Sequence, residues 1–295
     1  MKKILCLMAF TLMFTLTGCK DAVTSLTDGN EALITIGKTE ITKDEIYTSL
    51  KSKNGVTVIL SKLTNFIVDK EVPITDEIKK EAQEYVDSFI SYIGKDTMKT
   101  YVESMGYESV ESYRDNAVVA SIRAEKISDK YISECFEELN KQYQLRKVQI
   151  LQTSDSKIAT EIQAAIKEGK LTFEDALVQY KDKLTTTTFT GKEQIISNKT
   201  SLDKSVLSNI FAVEEENTLL PTYQFNDKIN TFYVVKVLDL EVSLEEGKDT
   251  LLGISSIGDE AFAHYLKEYG FVVYDIDLYN GIYANAPTYL VQDNK

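Results

Sequence analysis

The sequence predicts an α+β protein in which helical segments at both ends flank a compact α+β module. Three observations carry this reading. From Asp76 to Leu139 the apolar residues recur at spacings of three and four, the mark of helices with one buried face. From Gln144 to Glu241 the period changes, and short strand-like runs alternate with short helical ones in the order β-α-α-β-α-β. Beyond Glu241 the helical period returns at Leu251, Ile254, Ala261, Phe262, Tyr265 and Leu266. The expected arrangement is a helical unit built from the N- and C-terminal segments, with the module inserted between them.

The chain begins with Lys2 and Lys3, then an apolar run of 13 residues from Ile4 to Leu16, then Leu16-Thr17-Gly18-Cys19-Lys20. As a helix that run spans about 20 Å, short of the roughly 30 Å of bilayer hydrocarbon. It therefore reads as the hydrophobic part of a signal peptide over residues 1–18. Residues 19–32 follow as a polar tether.

LITIGKTEIT, residues 33–42, alternates around Gly37-Lys38 and reads as a hairpin or strand. Thr42 with Glu45 has capping-box spacing and opens a helix carrying Ile46 and Leu50. A second helix is expected from Thr57 to Lys70, closed before Pro73. Ile78, Ala82, Tyr85, Val86, Phe89, Ile90 and Ile93 then share one face of a long helix ending at Gly94. Met98, Tyr101, Val102 and Met105 continue the pattern to Gly106, and Ser109 caps another long helix reaching Leu139. These elements make up an N-terminal helical segment, residues 33–143.

In the module, residues 144–241, LRKVQIL at 145–151 is the first strand. Ile158, Ile162, Ala165 and Ile166 form a helix stopped by Gly169, and Thr172 to Asp175 is a second capping box. A strand at Gln194–Ile196, a helix around Val206–Phe211 and a strand at Thr231–Leu238 complete it. In the closing segment, residues 242–295, FVVYDIDL after Gly270 reads as one more strand.

Composition excludes several function classes. A net charge of −13 leaves no basic stripe for nucleic acid. Once residues 1–18 are removed, two cysteines remain, Cys19 and Cys135. One histidine, His264, and no clustered cysteines leave only carboxylates as metal ligands, so no metal or other cofactor is expected. His264 sits on an amphipathic helix and reads as structural.

Leu16-Thr17-Gly18-Cys19 resembles the lipobox of bacterial lipoproteins, which implies a diacylglycerol on the Cys19 thiol. The wider organisation resembles the PrsA-type foldases, and more distantly the SurA and trigger-factor chaperones. The opening ALITIGKTEITKDEIYTSL is similar to the family's N-terminal strand, turn and helix. VQIL with KIATEIQAAIKEGKLTFEDALVQY resembles the start of a parvulin domain, and Ser208-Asn209-Ile210-Phe211 with TFYVVKVLDL resembles its later half. HYLKEYGFVVYDIDL is similar to the closing helix and strand.

The resemblance implies a SurA/trigger-factor-like chaperone domain with an inserted parvulin-like domain, on the outer face of a cell membrane. Its partners would be unfolded or newly secreted polypeptides, with a homodimer as a candidate assembly. By position, the two histidines of a parvulin site correspond to Gln149 and Tyr233, and Phe211 matches an aromatic of the proline pocket. The glycine-rich loop after the second helix is missing, since only Gly191 lies between Gly169 and Gly247. A foldase or chaperone with weak or no isomerase activity is therefore expected. The alternatives are an active isomerase with an unusual site, or a surface lipoprotein with a binding or structural role.

Overall fold

The computed structural model describes residues 23–185, 188–226 and 228–292. Cys19 and the signal-peptide residues lie outside them. Within the described residues no helix is long and apolar enough to cross a membrane.

Strands β1 (Ala32–Ile36) and β2 (Thr39–Thr42) pair antiparallel around Gly37, whose φ of +65° is the left-handed region that favours glycine. Thr42 then caps α1 (Lys43–Leu50): its hydroxyl accepts from the Glu45 amide at 3.3 Å, and the Glu45 carboxylate accepts from the Thr42 amide at 3.0 Å. A π-helical turn, Lys51–Gly55, leads into α2 (Val56–Glu71).

Helix α3 (Asp76–Ile93) is capped by Thr75 and buries Ile78, Ala82 and Val86 of the stripe its sequence spacing predicts, while Phe89, Ile90 and Ile93 are half-buried and Tyr85 is exposed. Gly94 at φ +85° ends it, and α4 (Lys95–Ser104) buries Met98 and Val102. Ser109 caps α5 (Val110–Tyr113), which runs through a second π-helical turn, Arg114–Val118, into α6 (Val119–Tyr143). Such turns insert one residue into the helical ladder and re-aim the faces that follow. The backbone departs from helical geometry at Cys135, which is buried and not in a disulfide.

The module follows as β3 (Arg146–Thr153), α7 (Ser156–Lys167), α8 (Phe173–Gln179), β4 (Glu193–Ile196), α9 (Lys204–Phe211), β5 (Thr218–Leu219), β6 (Gln224–Asn226) and β7 (Thr231–Asp239). Its antiparallel sheet runs β4-β3-β7-β5, with β6 also on β7. Strands β3 and β7 are central and apolar on both faces, so the sheet has two cores. Val148, Ile150, Tyr233, Val235 and Val237 pack with Val206 and Ile210 of α9 on one side. Leu151 and Val234 pack with Ile158 and Ile162 of α7 and Phe173 and Ala176 of α8 on the other.

After the sheet, α10 (Leu244–Leu252) starts at a capping box of Ser243 with Glu246. Glu246 also accepts from Lys147 of β3 at 3.0 Å. Hydrogen bonds from Ser243 and Lys147 hold the Glu246 carboxyl down at about 2. Helices α11 (Ile257–Glu268) and α12 (Ile276–Asn285) close the chain.

Here the structure corrects the sequence reading: FVVYDIDL is not a strand. Its first part is irregular, and Asp275 N-caps α12, accepting from the amides of Asp277 and Leu278 at 3.0 Å each. The short two-residue β5 and three-residue β6 also lie beyond what the pattern indicated.

Contacts divide the chain into two units, one running to Lys70 and resuming at Phe262, the other spanning Glu71–Ala261. The first unit has a buried ionic centre. Lys51 Nζ lies 3.1 Å from Asp275 Oδ2 and 2.8 Å from Asp277 Oδ2, with the Lys51 and Asp275 side chains each 5% exposed. The same Oδ2 accepts from the Thr24 amide at 2.8 Å and from the Thr24 hydroxyl. One carboxylate oxygen thus caps α12, while the other gathers Lys51 and the segment just before β1. Burial opposes both charges. Hydrogen bonds from Thr24, Leu278 and Lys51 nevertheless hold Asp275 well below the usual carboxylate range, and Asp277 and Asp275 raise Lys51.

Candidate functional site

The two sequence-predicted positions lie on the central strands, and their relation follows from the β3–β7 register. Gln149 sits opposite Lys236, and Tyr233 sits opposite Gln152. Directly paired residues in an antiparallel ladder point to the same face, and successive residues alternate. Lys236 and Tyr233 are three positions apart on β7, an odd offset, so Gln149 and Tyr233 leave the sheet on opposite faces. The two cores agree: Tyr233 belongs with Val148 and Ile150, whereas Gln149 shares its parity with Leu151. The fold brings the two strands together but does not bring these two side chains together.

Each side chain is also occupied. Gln149 is 6% exposed, and its Nε2 donates to Glu174 Oε1 of α8 at 2.6 Å. The Thr172–Asp175 capping box starts α8 one residue before Glu174 and so fixes where that carboxylate points. Tyr233 is 3% exposed and meets Phe189 edge to face, with centroids 6.0 Å apart and planes at 89°. Burial pushes its phenol up, and the charge of Asp203 adds to the rise.

Phe211, at the end of α9, packs against the Tyr233 side of the sheet. The Arg146 guanidinium sits over its ring, 6.0 Å from the centroid. Arg146 Nη1 donates to the carbonyls of Leu145 at 2.9 Å and Leu240 at 3.0 Å, while its buried Nε makes no hydrogen bond among the described residues. Burial lowers the Arg146 pKa. Phe211 and Tyr233 thus share one core, and Gln149 faces the other.

His264, on α11, lies 4.0 Å from Glu268 and stacks edge to face on Tyr265. Among the described residues no group of three or more His, Cys, Asp or Glu side chains is placed to hold a metal ion.

A second surface lies on the helical part of the Glu71–Ala261 unit, where α3, α4, α5 and the turn between the last two carry a linked row of rings. Tyr85 and Phe89 are 6.4 Å apart, Phe89 and Tyr101 5.5 Å, Tyr101 and Tyr113 6.2 Å, and Tyr107 and Tyr113 5.3 Å. Tyr113 is buried at the base, but Tyr85 and Tyr101 stay 54% and 38% exposed. The sequence pattern puts Tyr85 and Tyr101 on core faces. Tyr85 lies on the edge of the Ile78–Ala82–Val86 stripe, and its neighbour Glu84, exposed and paired with Lys80, is the one local sign of an exposed position.

No family model matches the chain. The chain is similar to the foldase protein PrsA of Geobacillus kaustophilus (strain HTA426), 25% identical over 178 residues. That alignment covers 58% of this chain and 57% of the relative, so the match spans little more than half the length of that curated protein. Among solved structures it is similar to a peptidylprolyl isomerase (PrsA) from Bacillus cereus, at 16% identity and a TM-score of 0.43, covering 86% of this chain and 98% of that one. PrsA from Bacillus subtilis aligns at 17% identity and a TM-score of 0.32, covering 84% and 96%. The foldase protein PrsA from Streptococcus pneumoniae str. Canada MDR_19A aligns at 16% and 0.35, covering 86% and 99%.

Proposed function

We propose that this protein is a lipid-anchored, extracytoplasmic foldase that binds unfolded or newly secreted polypeptides and has weak or no peptidyl-prolyl isomerase activity. Its similarity to a PrsA foldase supports the first part. The Leu16–Cys19 lipobox supports the anchor, because the two acyl chains of a diacylglycerol give stable membrane attachment where one gives only marginal binding.

The observation that carries the loss of catalysis is the placement of Gln149 and Tyr233 on opposite faces of the sheet, both buried. Prolyl isomerisation faces a barrier of roughly 18–20 kcal/mol from amide resonance. Lowering it takes polar groups preorganised around the twisted amide and in contact with it. A tyrosine packed on Phe189 and a glutamine bonded to Glu174 on the far side cannot act on one substrate together. Chain binding makes no such demand, since it needs only accessible apolar surface with a soluble rim.

The test is suppression of aggregation. Residues 20–295, added at near-stoichiometric ratio to several chemically unfolded secreted proteins, should lower their light scattering on dilution. No suppression with any client would overturn the foldase reading in favour of a structural or solute-binding lipoprotein.

A further inference from the structure

The row of rings from α3 to α5 is not used by the parvulin-like module, and its chemistry is specific. Four of the five rings are tyrosines. The buried Tyr113 phenol is pushed up first by burial, then by the neighbouring Tyr101, Tyr85 and Tyr107 groups. Around them, Tyr92 is 87% exposed and Met105 51% exposed, which widens the apolar area. The flank of α3 carrying Tyr85, Ser88 and Tyr92 has Glu81 and Glu84 beside it. Glu81 pairs with Lys126 at 2.8 Å, and Glu84 with Lys80 at 3.5 Å across exposed side chains. Glu108 follows Tyr107 directly and is exposed. Across residues 76–118 there are ten acidic residues against five basic ones.

We propose that this tyrosine surface docks extended segments of unfolded polypeptide in which lysine or arginine stands beside apolar residues. The proposal rests on the foldase reading above and names the class of chain that the protein takes. The ring faces attract ammonium and guanidinium groups, and the alkyl stems of those side chains cover aromatic surface while their heads reach the acidic rim. The same acidity argues against the other occupants. A second copy of this chain carries a net charge of −13, and an anionic lipid surface is likewise repelled.

The experiment uses the absence of tryptophan from the chain. A short unstructured peptide with one tryptophan and several lysines is titrated with the full chain held in nanodiscs, and tryptophan anisotropy reports binding. The same peptide with glutamate in place of each lysine is the control. The lysine peptide should bind roughly tenfold more tightly at low salt, an advantage that shrinks as salt rises. The double variant Y85S/Y101S should lose about tenfold in affinity for the lysine peptide, while Y85F/Y101F, which keeps both rings, should retain most of it. Both positions are exposed, and circular dichroism confirms that each variant keeps its fold. Equal binding of the two peptides, or unchanged binding by Y85S/Y101S, would overturn the docking surface even if aggregation suppression persists. Suppression absent from the intact protein while lysine-peptide binding still depends on Tyr85 and Tyr101 would instead leave the surface standing and remove the foldase reading.

Discussion

Placing histidine at both candidate positions, Gln149→His with Tyr233→His, should not create an isomerase, and the reason is geometric. Gln149 faces Lys236, three residues beyond Tyr233 on β7. At about 3.3 Å per residue that offset is roughly 10 Å along the strand, and the neighbouring strand adds about 4.8 Å sideways. The two side chains then diverge through opposite faces of the sheet. Two imidazoles share a proton only when their nitrogens come within about 3 Å, and no choice of rotamer closes a gap several times larger. The histidine at 149 would meet Glu174, which Gln149 already contacts at 2.6 Å. The histidine at 233 would replace a ring packed on Phe189 in a core position that is 3% exposed. Losing that packing and burying a second polar group costs on the order of 2–4 kcal/mol, so thermal unfolding of the double variant is recorded first. Uncatalysed prolyl exchange takes tens to hundreds of seconds at 25 °C, slow enough for even modest catalysis to be seen by exchange NMR on a proline peptide. The unmodified chain and the double variant should both leave that exchange unaccelerated. Acceleration of about tenfold or more by the double variant, absent from each single variant, would mean that the two side chains meet and that the register argument is wrong.

Three further outcomes are expected. Asp275→Asn keeps the cap on α12 but presents an amide donor to Lys51 and Thr24, so it should destabilise the first unit by about 2–3 kcal/mol. That is below the roughly 3–5 typical of a deep pair because Asp277 is 56% exposed. Hydrogen exchange at residues 24–31 reads this, and a loss under about 1 kcal/mol would contradict it. The pH dependence has a definite sign. The lowered Asp275 contributes stability present above its unfolded pKa near 3.9 and lost as pH falls through its folded value. The raised Lys51 contributes stability present below about 10.4 and lost as pH rises through its folded value. Gly281→Ala would drive a methyl group into the Val56 side chain, destabilising by about 1–3 kcal/mol, and adding Val56→Ala should recover part of the loss in Tm. Cys19→Ala should abolish metabolic labelling with radioactive palmitate, and equal labelling of the variant would remove the lipobox reading.

What the sequence determined by itself is local. Thr42 with Glu45 and Thr172 with Asp175 start helices because the bonds they make span three residues and need nothing distant. Gly94, Gly106, Gly169 and Gly270 mark the ends of helical stretches because each adopts a positive φ that side chains resist. The Ile78–Ala82–Val86 stripe of α3 and the apolar runs of β3 and β7 are legible for the same reason, since period alone identifies the buried face. FVVYDIDL failed because its apolar run has no helical period. The cap at Asp275 is stabilised by Lys51 and Thr24, more than two hundred residues earlier in the chain. The relation between the two candidate-site positions was hidden from the sequence for a similar reason. Alternation fixes which neighbours within β3 share a face, and likewise within β7, but the phase between two strands far apart in sequence is set only when they pair. A shift of one residue exchanges the faces. Whether Gln149 and Tyr233 could meet was therefore a property of the register, and the register exists only in the folded sheet.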